Sequence, residues 1–439
     1  MMLFGRVSPT KFGLLYEMQL PRPWTEHSGH RQLHEAIDEI ELADKLGYDY
    51  IWANEHHFLE EYSHSSAPEV FLGFCARNTE QIRLGHAVVL SPPAYNQPAR
   101  VAERISTLDL ISSGRADFGT GESASRVELE GYGVDPEQKK AMWTECVEQT
   151  ANMMVMDPYP GFEGEFFSMP ARNVLPKPYQ KPHPPIWVAC SRRETIHAAA
   201  RNGIGALAFA FVDPEEASKW VSEYYDIIKS DECVPTGHSV NANIAMCTGF
   251  SVHEDEAEAK RRGAEGFQYF GYSLGHYYVY GHHKPGETNI WERFKKAQPD
   301  LEAVGAGRGV GTPAQVKAHL QKFADVGVDQ VIFIQQSGKN QHKHICDSLR
   351  LFSQAVMPDF KASEEERERN KAEELAPYIE AALARKKKMS PLTPEDTPVV
   401  VAFGRTIIQS GQDTNAKASH HSAADIMMPL HDPLSPAAE

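Results

Sequence analysis

Three short runs in this 439-residue chain combine residue types that could do chemistry. The first is Asn54-Glu55-His56-His57-Phe58, directly after an apolar stretch. Side chains alternate along extended backbone, so His56 and His57 should point to opposite sides and only one should face a shared site. A neutral imidazole there could give or take a proton near pH 7. Two other readings stay open. A metal ligand would need further ligands converging, and the H-E-x-x-H helical spacing is absent. A structural histidine would simply be satisfied by its neighbours.

The second run is Cys190-Ser191-Arg192-Arg193-Glu194-Thr195, which follows the apolar Ile186-Trp187-Val188-Ala189 and opens a helix. Free amides and the positive dipole end make such a start an anion site. Ser191 and Thr195 add hydroxyls, and Arg192 or Arg193 adds charge, so a phosphate is the natural occupant. An ordinary helix cap with two solvated arginines explains the run equally well. The third run, Phe118-Gly119-Thr120-Gly121-Glu122-Ser123-Ala124, nominally matches G-x-G-x-x-A. A dinucleotide fingerprint needs an acidic residue about 20 positions later, ending the next strand. Here that interval falls inside a predicted helix, so glycines that let backbone approach a flat ring account for the run as well. Three strand ends then offer a phosphate cradle, a small-residue platform and a histidine, which suits a phosphorylated planar cofactor better than a metal.

The elements that must position these runs alternate between apolar strands and amphipathic helices, the pattern of a parallel sheet with crossovers. Strands are predicted at Phe12 to Tyr16, Asp49 to Ala53, Ile82 to Leu90, Ala116 to Gly119, Ile186 to Ala189, Ala206 to Phe211, Ala245 to Phe250 and Val331 to Ile334. Helices are predicted at His30 to Leu46, Pro68 to Arg77, Ala99 to Leu110, Lys139 to Met154, Glu194 to Arg201, Pro214 to Lys229, Glu254 to Glu265, Pro313 to Val326 and Lys343 to Val356. About eight strands favour closure into a TIM-like (β/α)8 barrel over an open sheet, with the site at the strands' C-terminal ends. The barrel is assigned to residues 1–360. Gly266 to Gly309, rich in Tyr, Phe, His and Gly, is read as a long lid loop over that site. Residues 361–439 are read as a C-terminal extension: a charged helix over Ser363 to Lys388, then an irregular segment around the apolar Val399 to Phe403, serving subunit contacts or simply a loose terminus.

With 44 basic against 60 acidic residues, net −16, nucleic acid is not expected as a partner. The six cysteines lack any C-x-x-C pair and read as reduced thiols. No secretory leader and no apolar stretch of about 20 residues is evident, so a cytoplasmic protein without membrane attachment is expected.

At this point the sequence resembles the bacterial-luciferase-like flavin monooxygenases. GYDYIWANEHHF looks like the family's strand and EHHF segment. IRLGHAVVLSPPAYNQPARVAERISTLDLISSGRADFGTG looks like its long central signature. PPIWVACS with ETIHAAARNG resembles its phosphate-binding turn, and VGTPAQVKAHLQKFADVGVDQVIF, ending at SLRLFSQAVMPDF, its closing βα unit. The likeness runs over residues 11 to 360 in the family's order. It implies an enzyme, commonly a homodimer, that uses reduced FMN and O₂ to oxygenate a small organic substrate through a flavin hydroperoxide, with a separate flavin reductase often supplying the cofactor. It implies that His56 is the catalytic histidine, that Ser191 and Thr195 bind phosphate with Arg192 and Arg193 beside them, and that Ala87 and Val88 form a cis peptide beneath the ring. Gly121 falls where luciferase itself carries a reactive cysteine, a departure that speaks against light emission. No metal is expected. Trp24, Trp187 and the aromatic lid are read as an apolar substrate pocket, or as core and dimer packing. Two alternatives remain beside the monooxygenase: a deazaflavin-dependent hydride-transfer enzyme on the same barrel, and a non-catalytic flavin-binding protein.

Overall fold

The computed structural model describes residues 11–297, 300, 305, 308–362 and 364–400. Eight apolar runs form the strands β1 (Lys11–Tyr16), β2 (Tyr50–Ala53), β3 (Arg83–His86), β4 (Ala116–Gly121), β5 (Ile186–Cys190), β6 (Gly205–Ala208), β7 (Ile244–Thr248) and β8 (Gln330–Gln335). Successive strands pair in parallel, and β8 returns to β1 from Lys11↔Gln330 to Tyr16↔Gln335, so the sheet closes into a (β/α)8 barrel. The predicted third strand is interrupted. β3 stops at His86, and Val89–Leu90 resumes pairing against Thr120 and Gly121 of β4.

Helices α1 (Ser28–Leu46), α2 (Pro68–Asn78), α3 (Pro98–Ile111), α4 (Arg126–Tyr132), α5 (Lys139–Val155), α6 (Arg193–Arg201), α7 (Pro214–Ile228), α8 (Glu256–Gly275), α9 (Ile290–Lys296), α10 (Pro313–Asp325) and α11 (His342–Ala355) connect them. Sequence signals mark several ends. α1 stops at Gly47, whose φ of 84° is left-handed, and α10 opens with a reciprocal cap between Thr312 and Gln315. Alternation along the strands makes two cores. Leu14, Ile51, Leu84, Phe118 and Phe333 face the helices, whereas Leu15, Trp52, Trp187, Leu207 and Ile332 fill the barrel.

The N-terminal half of the barrel interior is plugged. Trp52 and Trp187 meet edge to face at 5.4 Å. Their indoles donate to Gln330 Oε1 at 3.0 Å and Asp117 Oδ1 at 2.9 Å, and Arg83 pairs with Asp117. Gly85 and Gly205 leave the room: a Cβ on either would lie 2.2–2.3 Å from an indole. Of the two readings the sequence left open for Trp187, pocket or core packing, its place in the barrel floor is the core one.

The described part of the supposed lid loop is largely helical. α8 runs to Gly275, a π-helical turn spans His276–Tyr280, and α9 follows. Gly263, Gly266, Gly271 and Gly275 dilute helix propensity and hide the periodicity, yet Ala259, Gly263, Gly266, Phe270 and Ser273 form a buried stripe. A hairpin of Tyr159–Glu163 and Ser168–Arg172, between α5 and β5, was not read from sequence.

Beyond α11, the short α12 (Met357–Lys361) leads to α13 (Glu364–Arg385). The chain divides into two compact units, Met1–Pro391 and Leu392–Glu439, so α13 belongs with the barrel and the expected boundary at residue 360 does not separate them. Its charges pair beneath the strands' N-terminal ends. Glu368 meets Lys11 at 2.8 Å, Lys371 meets Asp329 at 2.7 Å and Asn243 at 2.6 Å, and Leu375 and Ala382 are buried. In the second unit, Thr393 Oγ1 donates to Asp396 in a tight turn. Most of the Val399 to Phe403 run lies outside the described residues. The six cysteines are free and buried, and no described helix is long and apolar enough to cross a membrane.

Candidate active site

The C-terminal ends of the strands carry the polar residues. His56 and His57 diverge as alternation requires. His56 points between two buried carboxylates: Nε2 lies 3.1 Å from Glu17 Oε1, and Nδ1 lies 3.0 Å from Glu128 Oε1. His57 turns the other way, with Nε2 3.1 Å from Glu55 Oε1 and Nδ1 3.2 Å from the Tyr132 hydroxyl. Glu17 is the first residue after β1, and Glu128 sits in the first turn of α4.

The electrostatics of the site favour the charged over the neutral imidazole at His56. Burial alone would lower the His56 pKa, but the carboxylates of Glu128 and Glu17 outweigh it and raise it to about 10. Burial also opposes ionisation of Glu128. There His56, the Ser123 hydroxyl at 2.6 Å and the His57 amide at 2.8 Å win, and the pKa is held low. Burial pushes Glu17 up, partly offset by His56. The resting cluster is thus an imidazolium held by one firm anion, with Glu17 as the group that protonates more readily. Among the described residues, no group of three or more His, Cys, Asp or Glu side chains is arranged to hold a metal.

Aromatic side chains close over this cluster. Tyr62 lies 5.6 Å from His56, ring to ring, and meets Phe270, Tyr277 and Tyr278 at 5.8–6.2 Å. Burial, reinforced by Glu17 and Glu128, keeps the Tyr62 and Tyr278 phenols protonated. The return from the π-helical turn is fastened by Glu61, fully buried, which accepts the Ile290 amide at 2.5 Å and the Arg22 amide at 2.8 Å. Phe270, Tyr277 and Tyr278 belong to the aromatic stretch read from the sequence as part of an apolar pocket, whereas Tyr62 was not singled out because no strand or helix period marks it.

The glycine run is shaped by the neighbouring strand. A Cβ on Gly119 would lie 1.7 Å from His86 O, and one on Gly121 would lie 2.3 Å from Val88 Cγ2. Both glycines therefore make room for the chain at His86–Val88, where the Ala87–Val88 peptide is cis, as the resemblance implied. The glycines thus seat the Ala87–Val88 segment close against β4 at the C-terminal end of the barrel.

At the third strand end, Ser191 and Arg192 face solvent, while Thr195 Oγ1 donates to Arg192 O at 2.6 Å and accepts the Arg192 amide at 3.2 Å. Arg193 is drawn away to Glu223, which also takes His197 at 2.7 Å. The α6 start with Ser191 and Arg192 remains open to an anion, and Arg193 does not join it here. Trp24 stands at an outer rim, half-exposed, with Arg22 stacked 3.9 Å above its ring and its indole donating to Leu20 O.

The family profile described as luciferase-like monooxygenase matches residues 11–330. The chain is 31% identical over 186 residues to the oxygenase component of a flavin-dependent trigonelline monooxygenase of Acinetobacter baylyi, covering 41% of this chain and 49% of that protein. It is 25% identical over 370 residues to limonene 1,2-monooxygenase of Rhodococcus erythropolis, covering 81% and 87%. Against several of the curated relatives the match spans about half of their length. The solved structure of the monooxygenase RslO1 from Streptomyces bottropensis superposes with a TM-score of 0.66 at 26% identity, covering 80% of this chain and 100% of that one. Barrel closure, the strand-end residues and these matches agree: the chain belongs to the luciferase-like monooxygenase family.

Proposed function

We propose that this protein is the oxygenase of a two-component FMN-dependent system, using reduced FMN and O₂ to oxygenate a small apolar organic substrate. The observation that carries the reading is His56 held between Glu17 and Glu128 with Tyr62 against its ring, at the same end of the barrel as the glycine run that receives the His86–Val88 segment. Bound reduced flavin supplies the electrons that activate O₂.

The chain's own residues supply the rest. Ser191, Arg192 and the first amides of α6 would hold the phosphate, with Thr195 able to redirect its hydroxyl. Ala87 and Val88, backed by Gly121, would support the ring. His56 Nδ1 is committed to Glu128, whereas its Nε2–H, directed at Glu17 in this structure, would turn to negative charge developing on oxygen when Glu17, the carboxyl that protonates more readily, releases it. Tyr62, Phe270 and Tyr278 would exclude water and pack an apolar substrate. A homodimer is part of the proposal, and exposed Val70 and Phe74 on α2 and Ile111 on α3 offer an apolar face for it. A separate reductase and a cytoplasmic location, which suits six buried free thiols, complete it.

The test supplies the protein with FMN, a flavin reductase and isotopically heavy O₂ together with a panel of small apolar substrates. One heavy oxygen in a product supports the reading. Binding of FMN without any substrate-dependent turnover would favour a storage protein, and hydride transfer from a reduced deazaflavin would favour that cofactor.

A further inference from the structure

Glu55, next to His56, is a buried carboxylate to which the reaction above gives no task. Its backbone N–H donates to Val88 O at 3.2 Å, and its Oε2 accepts the Leu90 amide at 2.8 Å. The residue therefore grips the Val88–Leu90 turn from both sides, the same turn whose Val88 side chain rests over Gly121.

Glu55 is itself held from outside. Asn96 Nδ2 donates to both carboxylate oxygens, at 2.9 and 3.1 Å, and to Leu90 O at 2.9 Å. Asn96 Oδ1 accepts from Arg104 Nη2 at 2.5 Å, which fixes the amide with its NH₂ toward Glu55. Arg104, on α3, also pairs with Glu69 on α2. With Glu69, Arg100, Glu103 and Ile111, Arg104 lines a groove on the outer face of the barrel. An unbroken line of hydrogen bonds thus runs from that groove to the mouth, through Glu69, Arg104, Asn96, Glu55 and Leu90.

We propose that Asn96 and Arg104 are positioning residues for the cofactor platform: through Glu55 they set the Val88–Leu90 turn, and they tie its geometry to the α2–α3 groove. The link to reactivity rests on the flavin reading, whereas the line of hydrogen bonds stands without it. Buried networks of this kind act as units, so loss of an outer member loosens the inner ones.

The experiment measures amide exchange at Leu90 in the flavin-free protein, and separately the dissociation constant of oxidised FMN by fluorescence quenching. Asn96→Leu should speed Leu90 exchange about tenfold and Arg104→Met about threefold, with FMN affinity weakening in parallel. Arg104→Lys should restore part of both. Glu103→Gln, in the same groove but outside the line, should change neither. Because Arg104 reaches the surface, its variant keeps the test available if Asn96→Leu does not fold. Leu90 exchange unchanged in Arg104→Met overturns the proposal, as does faster exchange with FMN affinity unaltered. Faster exchange in a protein that binds no FMN in any form would overturn the flavin reading and leave the line of hydrogen bonds standing.

Discussion

His56 Nδ1 lies 3.0 Å from Glu128 Oε1, and this pair fixes the charge state of the mouth. Glu128 also takes the Ser123 hydroxyl and the His57 amide, so it stays anionic and keeps the imidazole protonated. Replacing it by glutamine removes the charge with little change of shape. Glu128→Gln should bring the His56 titration, followed by NMR of the ring proton, down from about 10 toward the ordinary histidine range. A midpoint that stays put would transfer the main role to Glu17.

The same shift predicts a pH dependence of stability. The folded-state pKa of about 10 lies above the ordinary 6.5, so the stabilisation is fully present below 6.5 and is lost as pH rises through 10. Urea unfolding of wild type and His56→Gln should show a gap that narrows between neutral pH and pH values above about 10. A gap independent of pH would mean that His56 is neutral in the folded protein.

The glycine platform predicts a ranking. Gly121→Ala should cost about 1–3 kcal/mol, because Val88 must shift, and it should weaken FMN binding. Gly119→Ala should cost more, because its Cβ meets the His86 carbonyl and backbone yields less than a side chain. The reverse order in urea titrations would contradict this packing.

Lys371→Met should cost about 2–4 kcal/mol by leaving Asp329, nearly buried, without its cation. The Tyr225 hydroxyl and the Ile244 amide still reach that carboxylate and keep the loss from being larger. FMN affinity should not change, since α13 lies at the opposite end of the strands. Equal stability in thermal and urea unfolding would make α13 an ornament.

Glu61→Leu should free the start of α9 and loosen the cover formed by Tyr269, Tyr277 and Tyr278. The expected result is more hydrogen peroxide released per reduced flavin, with flavin affinity within about threefold of wild type. Unchanged peroxide release would leave the aromatic cover without a sealing role.

The barrel was legible because its strands are short apolar runs broken by amphipathic helices such as α1 and α7. Strand ends pointed to His56, Gly121 and the α6 start by the same logic. Glu17 also follows a strand, β1, yet an isolated glutamate carries no pattern, and its meaning appears only when β1 and β2 bring it to His56. Glu128 lies 72 residues from His56 along the chain. Trp187 stayed ambiguous between pocket and core because a tryptophan on a strand reads alike at the floor and at the mouth; the room left for it by Gly205 favours the floor. α8 was cut short by its glycines, and α13 looked solvated because its charges find partners only on the folded barrel.

Anaerobic titration of the protein with reduced FMN, followed by admission of oxygen, tests the central claim most directly. Saturable binding of one FMN per chain, with His56→Gln retaining affinity but losing the coupling of oxygen uptake to product, is the predicted result. Absence of saturable binding, or a wild-type coupling ratio in His56→Gln, would contradict it.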